Sequence, residues 1–223
     1  MKLSKATIEI LKNFATINQS IVINEGNKIK TVNSLKNILA HADVEETFPQ
    51  EFAIYDLNEF LGLLSVMSDP ELTFNENDVN VSSGTQKVKY RYADTDYIVK
   101  PEKDIEMPEC DIKFNLKEDV YINLDKTATQ LQLNDVYLKG CEKSNKMYLC
   151  ATNKKNDSSN DYSEEVGEGV AKKFNVVMKK ENLKIIPGDY NVSISSKGIS
   201  YFKSVNTDLE YWIALEPTSE YGE

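Results

Sequence analysis

The 223-residue sequence has no apolar run longer than a few residues, far short of the roughly 20 that a membrane-spanning helix needs. Its first lysines, Lys2, Lys5 and Lys12, are not followed by an apolar stretch of the kind a secretory signal carries. The expected setting is therefore intracellular and away from any membrane. Only nine glycines and six prolines interrupt the chain, too few for a disordered or low-complexity protein. The three cysteines, Cys110, Cys141 and Cys150, are odd in number and form no C-x-x-C pair, so reduced thiols are expected. The single histidine, His41, has no serine, cysteine or aspartate set around it that would make a nucleophilic centre. No G-x-x-x-x-G-K-[ST] phosphate loop is present, and the glycines at 167 and 169 open no helix. Acidic pairs such as Asp94 with Asp96, or Asp157 with Asp161, arise by composition alone in a chain with 36 acids. The residues support no enzyme, no metal and no cofactor. A hydrolase built on the acidic loop from Asn156 to Asp161 would need a bound metal.

What is present is a soluble, half-patterned α+β chain. Apolar residues make up 40 % and charged residues 28 %, with a formal net charge of −10. Thr7, Ile10, Leu11 and Phe14 recur at helical spacing, with Ser4 placed to cap them and Lys5, Glu9 and Lys12 on the opposite face. A hairpin is expected across "QSIVINEGNKIKTV", turning at residues 25–27. A second helix follows Asp56, with Leu57, Phe60, Leu61 and Leu64 as its stripe and Asp56 and Glu59 as a capping pair. After three more strands the segment "DTDYIVKPEKDIEMP" loses all period and carries two prolines, the mark of a linker. A third helix opens near Lys117 with Tyr121, Leu124 and Ala128 on one face. Asp125 stands where that stripe expects an apolar residue. A fourth, short helix is expected over "KKENLKII", stopped by Pro187 and Gly188. Element order repeats about the linker. This predicts two domains, 1–93 and 112–223, joined by a linker over 94–111, with antiparallel sheets.

Lysines recur on the predicted helices although the chain is acidic: Lys2, Lys5, Lys12, Lys117, Lys126, Lys179, Lys180 and Lys184. A solvated helix face carries charge by default, but segregation of bases on helices would also meet a polyanion through its phosphates without reading bases.

Four stretches carry a resemblance: "MKLSKATIEILKNFATIN" at the start, "AIYDLNEFLGLLS" at Ala53 to Ser65, "NLKIIPGDYNVSIS" at Asn182 to Ser195, and "ALEPTS" at Ala214 to Ser219. Together they resemble the sliding clamps of T-even-type bacteriophages, the processivity factors of the phage DNA polymerase. The similarity runs in order along the chain and fades over 71–108 and 153–170. It implies the DNA clamp fold: two domains of duplicated β-α-β-β-β units, with sheets outside and helices lining a ring of three subunits. It further implies that Lys5 and Lys12, which match the family's inner-face lysines, face duplex DNA, where the other six lysines are expected to join them, and that no reaction is catalysed. Partner tails would bind an apolar pocket near the linker formed by Tyr97, Ile98, Val99, Pro101, Tyr211, Ile213 and Pro217, rimmed by Glu102, Asp104 and Glu106. Lys87, Val88, Lys89 and Tyr90 of one subunit would meet Tyr162, Ser163 and Val166 of the next. The implied partners are double-stranded DNA, the phage DNA polymerase, the clamp-loader complex and late-transcription factors, in the cytoplasm of the infected host. The competing reading is a β-rich phage structural or assembly protein with no contact to DNA.

Overall fold

A computed structural model describes residues 1–103, 105–170 and 172–222. The chain divides into two compact units, Met1–Asp104 and Ile105–Glu223.

The first unit runs α1 (Lys5–Ile17), β1 (Ile21–Ile23), β2 (Gly26–Val32), β3 (Ile38–Phe48), β4 (Phe52–Ile54), α2 (Leu57–Val66), β5 (Glu71–Phe74), β6 (Asp78–Ser83) and β7 (Gln86–Arg91). Helix α1 starts where Ser4 accepts a hydrogen bond from the Thr7 N–H at 3.2 Å, which satisfies one of the helix's free donors. Glu46, from β3, also accepts from the Ser4 N–H and the Thr7 hydroxyl. Helix α2 starts on Asp56, whose carboxylate accepts from the Glu59 N–H at 3.0 Å. The stripes bury Leu11, Phe14, Leu57, Phe60, Leu61 and Leu64, each contributing about 1.5–3 kcal/mol of hydrophobic stabilisation. Ile10, expected in the same stripe, is only half-buried. Phe52 anchors an aromatic cluster with Phe48 and Phe74, at centroid distances of 5.6 and 5.1 Å.

The hairpin expected across residues 20–32 does not form as such. β1 pairs antiparallel with β4, Val22 opposite Ala53, and β2 pairs instead with β3. All three residues of β1 are buried, so this strand is held from both faces rather than as one arm of a surface ribbon. The true hairpin turns at Asn33, whose side chain accepts from the N–H groups of Asn37 and Ile38 at 3.0 Å each.

The second unit runs β8 (Ile112–Leu116), α3 (Glu118–Gln130), β9 (Asp135–Cys141), β10 (Lys146–Thr152), β11 (Tyr162–Glu168), β12 (Phe174–Lys179), β13 (Tyr190–Ser195), β14 (Ile199–Ser204), β15 (Leu209–Ala214) and β16 (Glu220–Tyr221). Strands order as β11-β10-β9-β12-β16 in one sheet and as β15-β14-β13-β8 in another. Helix α3 packs on β10 and β11 and buries Tyr121, Leu124 and Ala128.

The sequence β4-α2-β5-β6-β7 and the sequence β8-α3-β9-β10-β11 have the same order of elements. The first half of unit one replaces its leading strand with a single backbone exchange: Leu72 N–H donates to Met1 at 2.7 Å, and the Met1 ammonium to the Leu72 carbonyl at 2.8 Å. The last half replaces the expected fourth helix with one 3-10 turn, Lys180–Asn182. The reason is tertiary. The core buries both Leu183 and Ile185, and residues two apart share a face on extended backbone but not on a helix. Tyr121 ties the segment to α3, its buried hydroxyl 2.9 Å from the Leu183 carbonyl and 3.2 Å from that of Ile185.

Candidate nucleic-acid interface

Structure divides the eight lysines into two groups. Lys5 and Lys12 stand exposed on the outer face of α1, with Glu9 between them, and Lys126 is exposed on α3. Among the described residues none of these three has an ion-pair partner. The others are engaged within their own unit. Lys2 pairs with Asp69, Lys117 with Asp189 at 2.8 Å, and Lys179 with the buried Asp135. Lys180 pairs with Asp125 at 2.9 Å, which explains the acid on the α3 stripe: Asp125 is only half-buried and is held by a base from the 3-10 turn after β12. Lys184 is likewise engaged.

The Asp189 carboxylate also accepts from the Glu118 N–H at 2.9 Å, so it caps α3 from a distant segment where Lys117 offers no side-chain cap. The Lys117 hydrogen bond, together with that N–H, holds the Asp189 carboxyl below its ordinary range. At Asp135 burial pushes the pKa up, but the hydrogen bonds from Lys179 and the Lys154 N–H outweigh it and hold the carboxyl low.

Two of the edge strands bear opposite charge: β7 ends the sheet β5-β6-β7 and β11 ends the five-stranded sheet. Along β7, Val88 and Tyr90 share the face of the buried Val81 and Val79, opposite which they pair, leaving Lys87, Lys89 and Arg91 on the other. Tyr90 is committed inward: its hydroxyl donates to the Asp56 carbonyl at 3.3 Å and its ring meets Phe60 at 5.2 Å. β11 carries Glu164, Glu165 and Glu168, with Glu165 bonded to Lys146 at 2.7 Å.

Residues 2–100 match the family described as DNA polymerase processivity factor, and residues 113–217 the family described as gp45 sliding clamp, C terminal. The chain is 38 % identical to the sliding clamp of Vibrio phage KVP40, over 97 % of this chain and 99 % of that protein. It is 30 % identical to the sliding clamp of Enterobacteria phage T4, over 99 % of each. The chain belongs to the phage sliding clamps. Among solved structures, PCNA of A. fulgidus bound to the C-terminal region of FEN-1 superposes with a TM-score of 0.72 at 14 % identity, over 98 % of each chain. At that identity the likeness speaks for the clamp fold.

A sliding clamp tethers DNA polymerase to its template. A β-rich structural protein without DNA contact is not what these relatives favour. No helix among the described residues of this clamp is long and apolar enough to cross a membrane. Of the linker, Ile98 packs into a small cluster with Val22, Ala53 and Ala93. Its neighbours project outward: Tyr97 is 82 % and Val99 41 % exposed, and Pro101 is half-buried. At the root of this segment Phe52, Ala53 and Tyr92, with the charged Glu51, Glu76 and Arg91, line a hollow of about 580 Å³. That hollow could not be read from sequence, because β4 and the end of β7 are far apart along the chain. Tyr211 and Ile213, expected in the same pocket, are fully buried. Tyr211 accepts the Ile186 N–H at 3.1 Å and packs on Tyr190 at 6.1 Å, so both residues belong to the core of the second unit and cannot touch a partner. Pro217 is exposed. Of the expected acidic rim, Glu102 pairs with Lys36 at 3.6 Å, Glu106 is exposed, and Asp104 lies outside the described residues.

Proposed function

We propose that three copies of this clamp close into a ring around duplex DNA and hold the phage polymerase to it without catalysing a reaction. The exposed lysines of α1 and α3 meet the phosphates. The observation that carries this reading is the availability of Lys5, Lys12 and Lys126: in a chain of net charge −10, these helical cations have no acid partner among the described residues. Diffuse phosphate contacts of this kind carry no base information and permit sliding. Encirclement turns polymerase rebinding into an intramolecular event at high effective concentration.

Ring closure joins β7 of one copy to β11 of the next, disposing of two open edges. The bases of β7 and the acids of β11 have complementary charge, and the join takes in Lys87, Val88, Lys89, Ser163 and Val166, with Tyr162 at its end. A solution mass near three times 25.3 kDa is the expected result of light scattering; a monomer at micromolar concentration would refute the closed ring. The polymerase's tail docks on Tyr97, Val99 and Pro101 beside the hollow at the linker root. The clamp-loader complex and late-transcription factors are further partners, and the whole acts in the host cytoplasm. Titration of the polymerase's C-terminal peptide against wild type and Val99→Asp tests the tail site, with equal binding by both placing it elsewhere.

A further inference from the structure

The second unit holds a separate pocket, of about 340 Å³, formed where β8, β12 and β16 come together with the turn before β12. Its floor is apolar: Ile112, Met147, Val170 and Phe174 contribute, each no more than 8 % exposed. The floor is shaped by a close approach. The Phe174 ring lies so near Gly140 that a Cβ there would fall 2.3 Å from it, which no packed pair tolerates. The polar groups of the wall are already satisfied. Asp111 accepts the Ser196 N–H at 2.7 Å, and the Tyr221 hydroxyl donates to the Ser195 carbonyl at 3.1 Å. What the wall leaves unsatisfied is positive: Lys113, Lys172 and Lys173 line the mouth, are exposed, and have no acid partner among the described residues.

We infer that this pocket docks a peptide segment of a partner protein that presents one or two bulky apolar side chains between acidic flanks. The apolar floor takes the anchor, and the three lysines take the carboxylates. A purely apolar ligand would leave the lysines unanswered, and a nucleic-acid backbone would leave the floor empty. The charge of this mouth is opposite to that of the linker segment, with its Glu102 and Glu106, so the two surfaces select different partners.

The test is fluorescence anisotropy with the full chain and a dye-labelled nonapeptide carrying adjacent leucine and phenylalanine flanked on both sides by glutamates. Saturable binding that weakens about tenfold in a Lys113→Glu/Lys172→Glu/Lys173→Glu variant is expected, since three partly screened charge attractions become repulsions. The same peptide with serines in place of leucine and phenylalanine should not bind. Gly140→Ala, which must displace the Phe174 ring, should weaken binding while leaving the lysines in place; circular dichroism checks that it is folded. Absence of binding to wild type, equal binding by the triple variant, or equal binding of the serine peptide would each overturn the proposal, the last by showing charge attraction alone. Processive synthesis and the response to Val99→Asp do not depend on this pocket, so its failure leaves the tethering role untouched.

Discussion

Helices α1 and α3 are built on the same period and leave different shares of their lysines free: Lys5 and Lys12 on α1, but on α3 Lys126 without Lys117. Each has thirteen residues and buries one stripe on its own unit. Helix α1 is capped by Ser4, next to it in sequence, and its exposed lysines remain unpaired. Helix α3 is capped by Asp189, some seventy residues away; that same aspartate holds Lys117, and the helix's own Asp125 holds Lys180. The difference teaches that a lysine on a helix face is available to a polyanion only if folding has not already given it an acid. That cannot be judged from helical position.

The largest effect should come from removing the stripes themselves. Phe14→Ala and Leu124→Ala, at 0 and 2 % exposure, are expected to cost about 3–5 and 2–5 kcal/mol respectively. Each should destabilise mainly its own unit, read by denaturant unfolding with hydrogen exchange resolved along the chain. Equal deprotection of both units would break the comparison.

Next comes charge. Lys5→Glu with Lys12→Glu should cut processive synthesis sharply at low salt, and more than Lys117→Glu with Lys180→Glu, because the second pair is already neutralised. The dependence of DNA loading on salt should flatten by about one unit of log–log slope for each phosphate that is no longer neutralised. Equal losses from the two double variants would show that ion pairing within the unit does not decide availability.

The caps separate the helices more finely. Asp189→Ala is expected to destabilise the protein, since it removes the cap of α3 together with the partner of Lys117. Ser4→Ala should cost less, because it removes the one bond from the Thr7 N–H, where Asp189→Ala removes the bonds from both the Glu118 N–H and Lys117. Chemical denaturation of both variants gives the ranking, and the reverse order would show that the Lys117 bond adds nothing to the cap. Acid should reproduce part of this. At Glu46 burial pushes the pKa up, but hydrogen bonds from Thr7 and Ser4 outweigh it; at Asp189 the Lys117 bond leads the shift downward. Carboxyls lowered on folding contribute stability that is fully present above their ordinary values of 4.5 and 3.8 and is lost as pH falls through the folded ones. Stability should therefore be level down to about pH 5 and fall below pH 4, with a shallower fall in Asp189→Asn. The smallest change is Lys126→Gln, expected to leave stability within about 0.5 kcal/mol while slightly weakening DNA binding. A larger loss of stability in thermal melts would mean that Lys126 is structurally engaged after all.

Local pattern was enough to locate all three helices, their buried stripes and the Ser4 and Asp56 caps, because the helical period is a property of neighbouring residues and persists wherever one face is buried. Family resemblance marked the clamp. What the tertiary structure alone decided depends on residues distant in the chain. β1 chose β4 over β2, since a strand buried on both faces takes whichever partner the core supplies. The segment after β12 is not a helix, since the core buries both Leu183 and Ile185, two residues apart. Tyr211 and Ile213 are core rather than pocket, since Trp212 between them is buried as well and alternation cannot say which face of a doubly covered strand is outside. Pairing of Lys117, Lys179 and Lys180, and the freedom of Lys5, Lys12 and Lys126, belong here too: a charge is answered or left open by whatever acid the fold brings within a few ångströms, and one-dimensional spacing holds no record of that distance.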